Sequence, residues 1–321
     1  MGETMLVRKT SSADASSFDD ESGERSYSIN KGKVLTKTIL SAAAGLSILV
    51  ASMSSSSAGQ IGYLGPAGSW THQACLDLFG PSELVALTRD DLFKDYKSGA
   101  LERACVPVTT SVVGVTPYMD AVLELPDVVI VAEYPKMLGY SLLAKPGTKL
   151  SDVKEVLAHP VAFEEVKPWL EREMPNAKRT EAASGGAAAK AVANSETNDK
   201  ASFGPKVGAS VYSLVSLVDG IEEGPHNVTR WWVLGRSMPA PTGKDKTSLL
   251  VDAADDDLDA ILRKLVEAKV RVLTIYERPS KKSLETHRYL VEVAGHAKEE
   301  PLTAFLRANP AIRLLGSYAR K

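Results

Sequence analysis

From Gln60 onward the chain alternates short apolar runs with stretches of helical periodicity, and this alternation most narrows what it can fold into. Strands separated by helices build a sheet covered by helices, the α/β arrangement. Ile61–Leu64, Leu84–Leu87, Ala104–Val108, Val128–Ala132, Tyr140–Ala144 and Trp231–Leu234 read as strands. Thr71–Phe79, Pro117–Leu123, Phe163–Glu171, Ala187–Ala193 and Val207–Leu217 read as helices. Pro168 interrupts the third, marking a kink or a first-turn position.

The pattern changes after Ser237–Lys244, a stretch with Pro and Gly that reads as a linker. Beyond it the order is strand, helix, strand, strand, helix, strand. The strands are Ser248–Ala253, Val270–Tyr276, Tyr289–Ala294 and Ile312–Gly316. In the first helix Leu258, Ile261, Leu262, Leu265 and Val266 follow the spacing of one buried face. Asp255, Asp256 and Asp257 stand at its start, where carboxylates cap free amides and suit the positive end of the dipole. The order βαββαβ is the split ferredoxin-like unit. With 321 residues the chain is long enough for a medium domain and a smaller one, each with its own core. The expected divisions are a domain at 60–236, a linker at 237–245 and a second domain at 246–321.

The N-terminal region differs. Residues 1–33 are rich in Ser, Asp, Glu and Lys and too poor in apolar residues to bury a core. Ile39–Met53 is an apolar run behind Lys31, Lys33 and Lys37, ahead of the small residues Ser54–Ala58. As a helix it would reach roughly 22 Å, short of a hydrocarbon core of about 30 Å. The segment resembles a signal or signal-anchor element, with an amphiphilic tail as the other reading. It leaves open membrane association of the tail and a cytoplasmic or organellar, plastid-like destination. The 38 basic and 40 acidic residues give a net charge of -2, so bulk electrostatics offer no nucleic-acid partner. Cys75 and Cys105 make no disulfide framework, and the five histidines show no zinc spacing.

Three stretches carry chemistry. Gly65-Pro66-Ala67-Gly68-Ser69-Trp70-Thr71 follows a strand and opens a helix. Glycine lets a backbone approach a ligand, and a helix start offers unpaired N–H groups to an anion. The Ser69 and Thr71 hydroxyls add donors; the plainer reading is a tight turn with Ser69 as a helix cap. Ser184-Gly185-Gly186 opens another helix and admits the same two readings. Asn227-Val228-Thr229-Arg230-Trp231-Trp232 offers a hydroxyl beside an arginine, the side chain best shaped for a carboxylate. Its plainer reading is a strand edge with a solvated Arg. His159-Pro160 is a fourth candidate, more simply a turn.

In this order and spacing the stretches resemble the prephenate dehydratase family. Tyr63-Leu64-Gly65-Pro66 through Ala74 is similar to the family's opening motif. Val106-Pro107-Val108 with Ser111 and Gly114 falls on its Pro-Ile-Glu-Asn-Ser motif. His159-Pro160 with Ala162 matches its His-Pro motif, Ser184 its Ser-Thr, and Thr229-Arg230-Trp231 its Thr-Arg-Phe signature. Lys246-Thr247-Ser248-Leu249, Glu277-Arg278-Pro279 and Leu315-Gly316-Ser317-Tyr318 resemble an attached regulatory ACT domain. The resemblance covers about residues 60–318.

It implies a two-lobed, periplasmic-binding-protein-like catalytic unit followed by the ACT domain, commonly a homodimer or larger homo-oligomer. The family reaction turns prephenate into phenylpyruvate with loss of carbon dioxide and water, in phenylalanine biosynthesis and without metal or organic cofactor. Thr229 and Arg230 are then the expected catalytic pair. Gly65, Pro66, Gly68, Ser69, Thr71, Thr110, Ser111, Ser184, Gly185 and Asn227 are the expected substrate-binding residues. Leu258, Glu277 and Arg278 fall at the regulatory ligand site.

The pattern also departs from the family. Its Glu-Asn reads Thr109-Thr110, the Thr of its Ser-Thr is Gly185, and a Gln after the His-Pro motif is Glu165. Its Pro-Gly-Ala-Leu ligand loop reads Asp255-Asp256-Asp257-Leu258, and its Glu-Ser-Arg-Pro reads Tyr276-Glu277-Arg278-Pro279. Donors are lost at the cleft, and phenylalanine sensing is not expected. Two other readings stay open: a related enzyme, arogenate dehydratase or prephenate decarboxylase-like, or a non-catalytic binding or regulatory protein of the same fold.

Overall fold

A computed structural model describes residues 59–81, 83–254 and 257–321. The apolar segment Ile39–Met53 lies outside the described residues, as do Asp255 and Asp256. No helix among the described residues is long and apolar enough to cross a membrane.

The chain first builds β1 (Ile61–Leu64), α1 (Trp70–Phe79), β2 (Leu84–Leu87), α2 (Arg89–Ser98), β3 (Arg103–Thr110), β4 (Gly114–Val115), α3 (Pro117–Leu123) and β5 (Val129–Met137). It crosses into a second sheet through Leu138–Tyr140 and forms β6 (Ser141–Ala144), β7 (Glu155–Ala158), α4 (Pro160–Glu165), α5 (Lys167–Glu173), β8 (Lys178–Glu181), α6 (Gly185–Ala193), β9 (Lys200–Gly204), α7 (Val207–Tyr212) and β10 (Val215–Asp219). It then returns through 220–227 to β11 (Val228–Gly235), which slots between β3 and β5. The sheets run β2-β1-β3-β11-β5, with β4 on β3, and β10-β6-β9-β7-β8. Two lobes joined by two crossings result directly from this path. The crossings hold each other: the Leu138 N–H donates to the Asn227 carbonyl at 2.9 Å, and the Tyr140 N–H to the Glu222 carboxylate at 2.7 Å.

The remainder forms β12 (Asp245–Ala254), α8 (Leu258–Glu267), β13 (Val272–Pro279), β14 (Thr286–Ala294), α9 (Leu302–Ala308) and β15 (Arg313–Ala319), an antiparallel sheet in the order β13-β14-β12-β15. The βαββαβ order is as expected, with Asp245 already in the strand rather than the linker. The face carrying Leu249, Val251 and Val291 packs with Leu265 and Phe305 of the helices. The opposite face is not exposed. Leu250, Leu290, Leu315 and Tyr318 share a core with Ile130, Trp232 and Leu234 of the first lobe. The two parts therefore have one joint core besides their own.

Several expected elements come out differently. Val207–Leu217 is a short helix followed by a strand: Ser213 turns left-handed (φ 55), and Val215–Asp219 pairs with β6. Phe163–Glu171 is two helices, with Pro168 in the first turn of the second, where a missing N–H costs nothing. The polar helix α2 and strands β7, β9 and β10 were not expected. Asp257 precedes α8, but its side chain makes no cap hydrogen bond.

The joint core brings two backbones close. At Gly316, φ is +151°, and a Cβ would lie 2.1 Å from the Ile130 carbonyl oxygen. Gly316→Ala should cost more than about 2 kcal/mol, lowering the melting point by roughly 5 °C. Urea unfolding checks this; an unchanged midpoint would mean that the close approach is not required.

Candidate active site between the lobes

The helix starts of α1 and α6 both line a cleft of about 570 Å³ at the carboxyl ends of the parallel strands. Such crevices are where open α/β sheets bind ligands. The lobes meet without side chains in the way at one end. A Cβ on Gly186 would lie 2.7 Å from the Ala67 carbonyl oxygen, and one on Gly68 would lie 2.7 Å from the Tyr212 ring. The Tyr212 hydroxyl donates to the Ala67 carbonyl at 2.7 Å.

Gly65, Pro66, Ser69, Thr71, Thr110, Ser184, Gly185, Asn227 and Thr229 all line the cleft, although they span 165 positions of sequence. Ser69 and Ser184 prove to be helix caps as well. Ser69 Oγ accepts from the His72 N–H at 3.3 Å and Ser184 Oγ from the Ala187 N–H at 3.1 Å. Each hydroxyl thus keeps its proton for a ligand. Thr71 Oγ1 accepts from the Trp231 indole at 3.1 Å. Thr229 Oγ1 donates to Asn227 Oδ1 at 3.5 Å, long enough for the hydroxyl to turn readily into the cleft. Thr110 pairs with Thr229 across the β3–β11 ladder and accepts from the Val113 N–H at 2.9 Å.

Three expected site residues are not in the cleft. Gly68 serves the contact between the lobes. Ser111 donates to the His226 carbonyl and accepts from the Val228 N–H, both at 2.8 Å, so it fastens the return crossing. Arg230 needs the largest correction. Successive residues of a strand point to opposite faces. With Thr229 toward the cleft, Arg230 points behind it, where its guanidinium bonds both oxygens of Glu292 at 2.7 and 2.8 Å. Burial works against its charge, yet Glu292 holds its pKa above the ordinary value. The expected regulatory residues are also committed. Arg278 makes a two-pronged pair with Asp120 of α3 at 2.6 and 2.7 Å, Glu277 pairs with His287, and Leu258 packs on the C-terminal core.

The residues missed by sequence reading are mostly aromatic or apolar walls: Trp70, Leu138, Tyr140 and Phe203, with Thr116 and Tyr118 at the start of α3. The N-capping position of Thr116 before Pro117 was a legible signal for the last pair. His159 also lines the cleft. Its Nδ1 accepts from the Val161 N–H at 3.2 Å, and burial lowers its pKa, so the neutral ring presents Nε2–H. Among the described residues, neither Lys, Arg, Asp nor Glu is a lining side chain. No cluster of three or more potential metal ligands occurs among the described residues. Anions here would meet helix N–H groups and hydroxyls, with aromatic rings around them.

Glu165 stands under this cleft, 1% exposed, with Oε1 lacking a partner. Desolvation raises its pKa, against a hydrogen bond from the Asn227 backbone N–H. The protonated form is therefore more favoured in the folded protein than in the unfolded chain. Its contribution to stability is full below the ordinary carboxyl range and lost as pH rises through the raised value. Glu165→Gln should accordingly melt a few degrees higher than wild type at pH 7, and the gap should close toward pH 4. Thermal unfolding at both pH values tests this; a gap that widens in acid would contradict it.

The prephenate dehydratase family model matches residues 61–239. A prephenate dehydratase from Corynebacterium glutamicum is 31% identical over 262 residues, covering 77% of this chain and 82% of the relative. The solved prephenate dehydratase from Arthrobacter aurescens, in complex with L-Phe, is 28% identical, covers 81% of this chain and 90% of that one, and superposes with a TM-score of 0.73. A quorum quenching acylase superposes with a TM-score of 0.75, covering 82% of this chain and 98% of that one, but at 22% identity it speaks to the fold alone.

Proposed function

Because the chain belongs to the prephenate dehydratase family, we propose that it converts prephenate to phenylpyruvate, with loss of carbon dioxide and water, in the cleft between its lobes. The observation that carries this reading is Thr229 lining the same cleft as two helix starts. Prephenate has two carboxylates, and the amides opening α1 and α6 suit one each. In the reaction the ring C–O bond breaks with its electron pair on oxygen. The bond to the ring carboxylate breaks with its pair entering the ring, and carbon dioxide leaves. Thr229 hydrogen-bonds and protonates the departing hydroxide, which leaves as water, and solvent restores the threonine proton. Aromatisation drives the step, so the protein mainly orients the dianion and stabilises the leaving group.

The described residues that line the cleft include no carboxylate, which favours the keto acid over arogenate, whose ammonium would want one. Glu165 lies below the cleft and is held toward its neutral form. We read the C-terminal βαββαβ unit as an ACT domain that no longer senses phenylalanine, since Arg278 is committed to Asp120. Thr110 and Gly185 stand where the family pattern has Asn and Thr, which points to a slow enzyme. Reinstating Thr at 185 is not simple, because its Cβ would come within 3.2 Å of Gly204 Cα.

Purified protein incubated with prephenate and with arogenate, with products identified, tests the proposal. Phenylpyruvate from prephenate is expected, with little phenylalanine from arogenate. Thr229→Ala should lower kcat about a hundredfold with KM little changed, the usual loss for one leaving-group donor. Turnover undiminished in Thr229→Ala would remove the residue from the mechanism.

A further inference from the structure

The cluster behind the cleft joins two parts of the chain. Arg230 is 9% exposed and Glu292 1%; Glu133 of β5 and Lys246 of β12 complete it, with Lys246 donating to Glu133 at 2.7 Å. The four charges balance. The guanidinium also lies 5.7 Å from the ring centres of Trp232 and Tyr276, and its Nε donates to Thr109 at 3.3 Å. Thr109 and Thr110 are adjacent on β3, as Thr229 and Arg230 are on β11, and each pair faces its counterpart across the ladder. Opposite the step from Arg230 to Trp231 the ladder carries a bulge in β3, where pairing passes from Thr109 to Pro107 and skips Val108. A bulge re-aims the side chains beside it and needs something to fix its position. Arg230 is the residue at that point, and its strongest bonds go to the C-terminal unit.

We propose that Glu292 is a positioning residue for the reaction: through Arg230, which also holds Thr109, it fixes β11 against the bulge in β3 and thereby aims the Thr229 hydroxyl into the cleft. The C-terminal unit is then part of the catalytic machinery, supplying a buried carboxylate without which the cleft is misaligned. The inference rests on the proposed reaction for its kinetic consequence, but its structural content stands apart from it.

The experiment is a double-mutant cycle in the full chain with prephenate as substrate. Glu292→Gln keeps shape and removes charge. It should lower kcat at least tenfold with KM within about twofold. In a Thr229→Ala background the same change should alter kcat less than twofold, because the group it positions is already gone. Equal factors in both backgrounds, a change in KM alone, or no change in kcat would overturn the proposal. If Glu292→Gln does not fold, Glu292→Asp serves, with the same pattern at smaller size. The methyl resonance of Thr229, assigned by its disappearance in Thr229→Ala, is read alongside and needs no turnover. It should shift in Glu292→Gln; an unmoved resonance would overturn the positioning role even if wild type proved inactive on prephenate, an outcome that by itself would contradict only the assigned reaction.

Discussion

Strand β11 has two faces and the molecule uses both. It is the last strand to enter the first sheet, arriving only after the second lobe is complete, and it lies between β3 and β5. The twofold repeat of a strand sends Thr229 and Trp231 to the cleft and Arg230 and Trp232 to the opposite side. Behind the sheet those two meet the C-terminal unit, whose Glu292 and Lys246 neutralise Arg230 and Glu133. Breaking one partner of a buried pair typically costs about 3–5 kcal/mol, since the other charge is left in a medium that cannot solvate it. The C-terminal sheet is thus seated by charge pairing as well as by the apolar contacts of Leu250, Leu290 and Leu315.

On the other face, the cleft is built with few long side chains. Glycines at 68, 186 and 208 let the helix starts of one lobe rest against the loop of the other. The two crossings between lobes hydrogen-bond to each other and place Leu138, Tyr140 and Asn227 at the cleft wall. The result is a pocket of neutral donors. Such donors lose less to desolvation than a lysine or arginine would, and they suit a ligand whose charge is rearranged rather than simply held.

The alternation of apolar runs and helical periods made the α/β lobes and the βαββαβ unit legible, because burial imposes those periods directly. What could not be read had physical reasons. The strand was expected to begin at Trp231, with Thr229 and Arg230 ahead of it; it begins at Val228, and the pair is sent to opposite faces. Helix α2 buries only Leu92, Phe93 and Tyr96 among polar neighbours, so its apolar signal was weak, although its Thr88 cap and left-handed Gly99 were visible cues. Ser111 and Gly68 were expected at the site because they fall within the family motifs, whereas their contacts are with residues more than a hundred positions away. Ser69 and Ser184 are the helix caps of the plainer reading, and a capping hydroxyl that accepts one bond still has a proton to give.

The central claim is that the cleft receives the substrate's carboxylates on backbone amides and hydroxyls, with Arg230 held out of reach. A crystal structure of the full chain with phenylpyruvate bound addresses it most directly. The account predicts the ring against Trp70, Tyr140 or Phe203 and the carboxylate within hydrogen-bonding distance of the first amides of α1 or α6. A carboxylate paired with Arg230, or product bound outside the cleft, would contradict it.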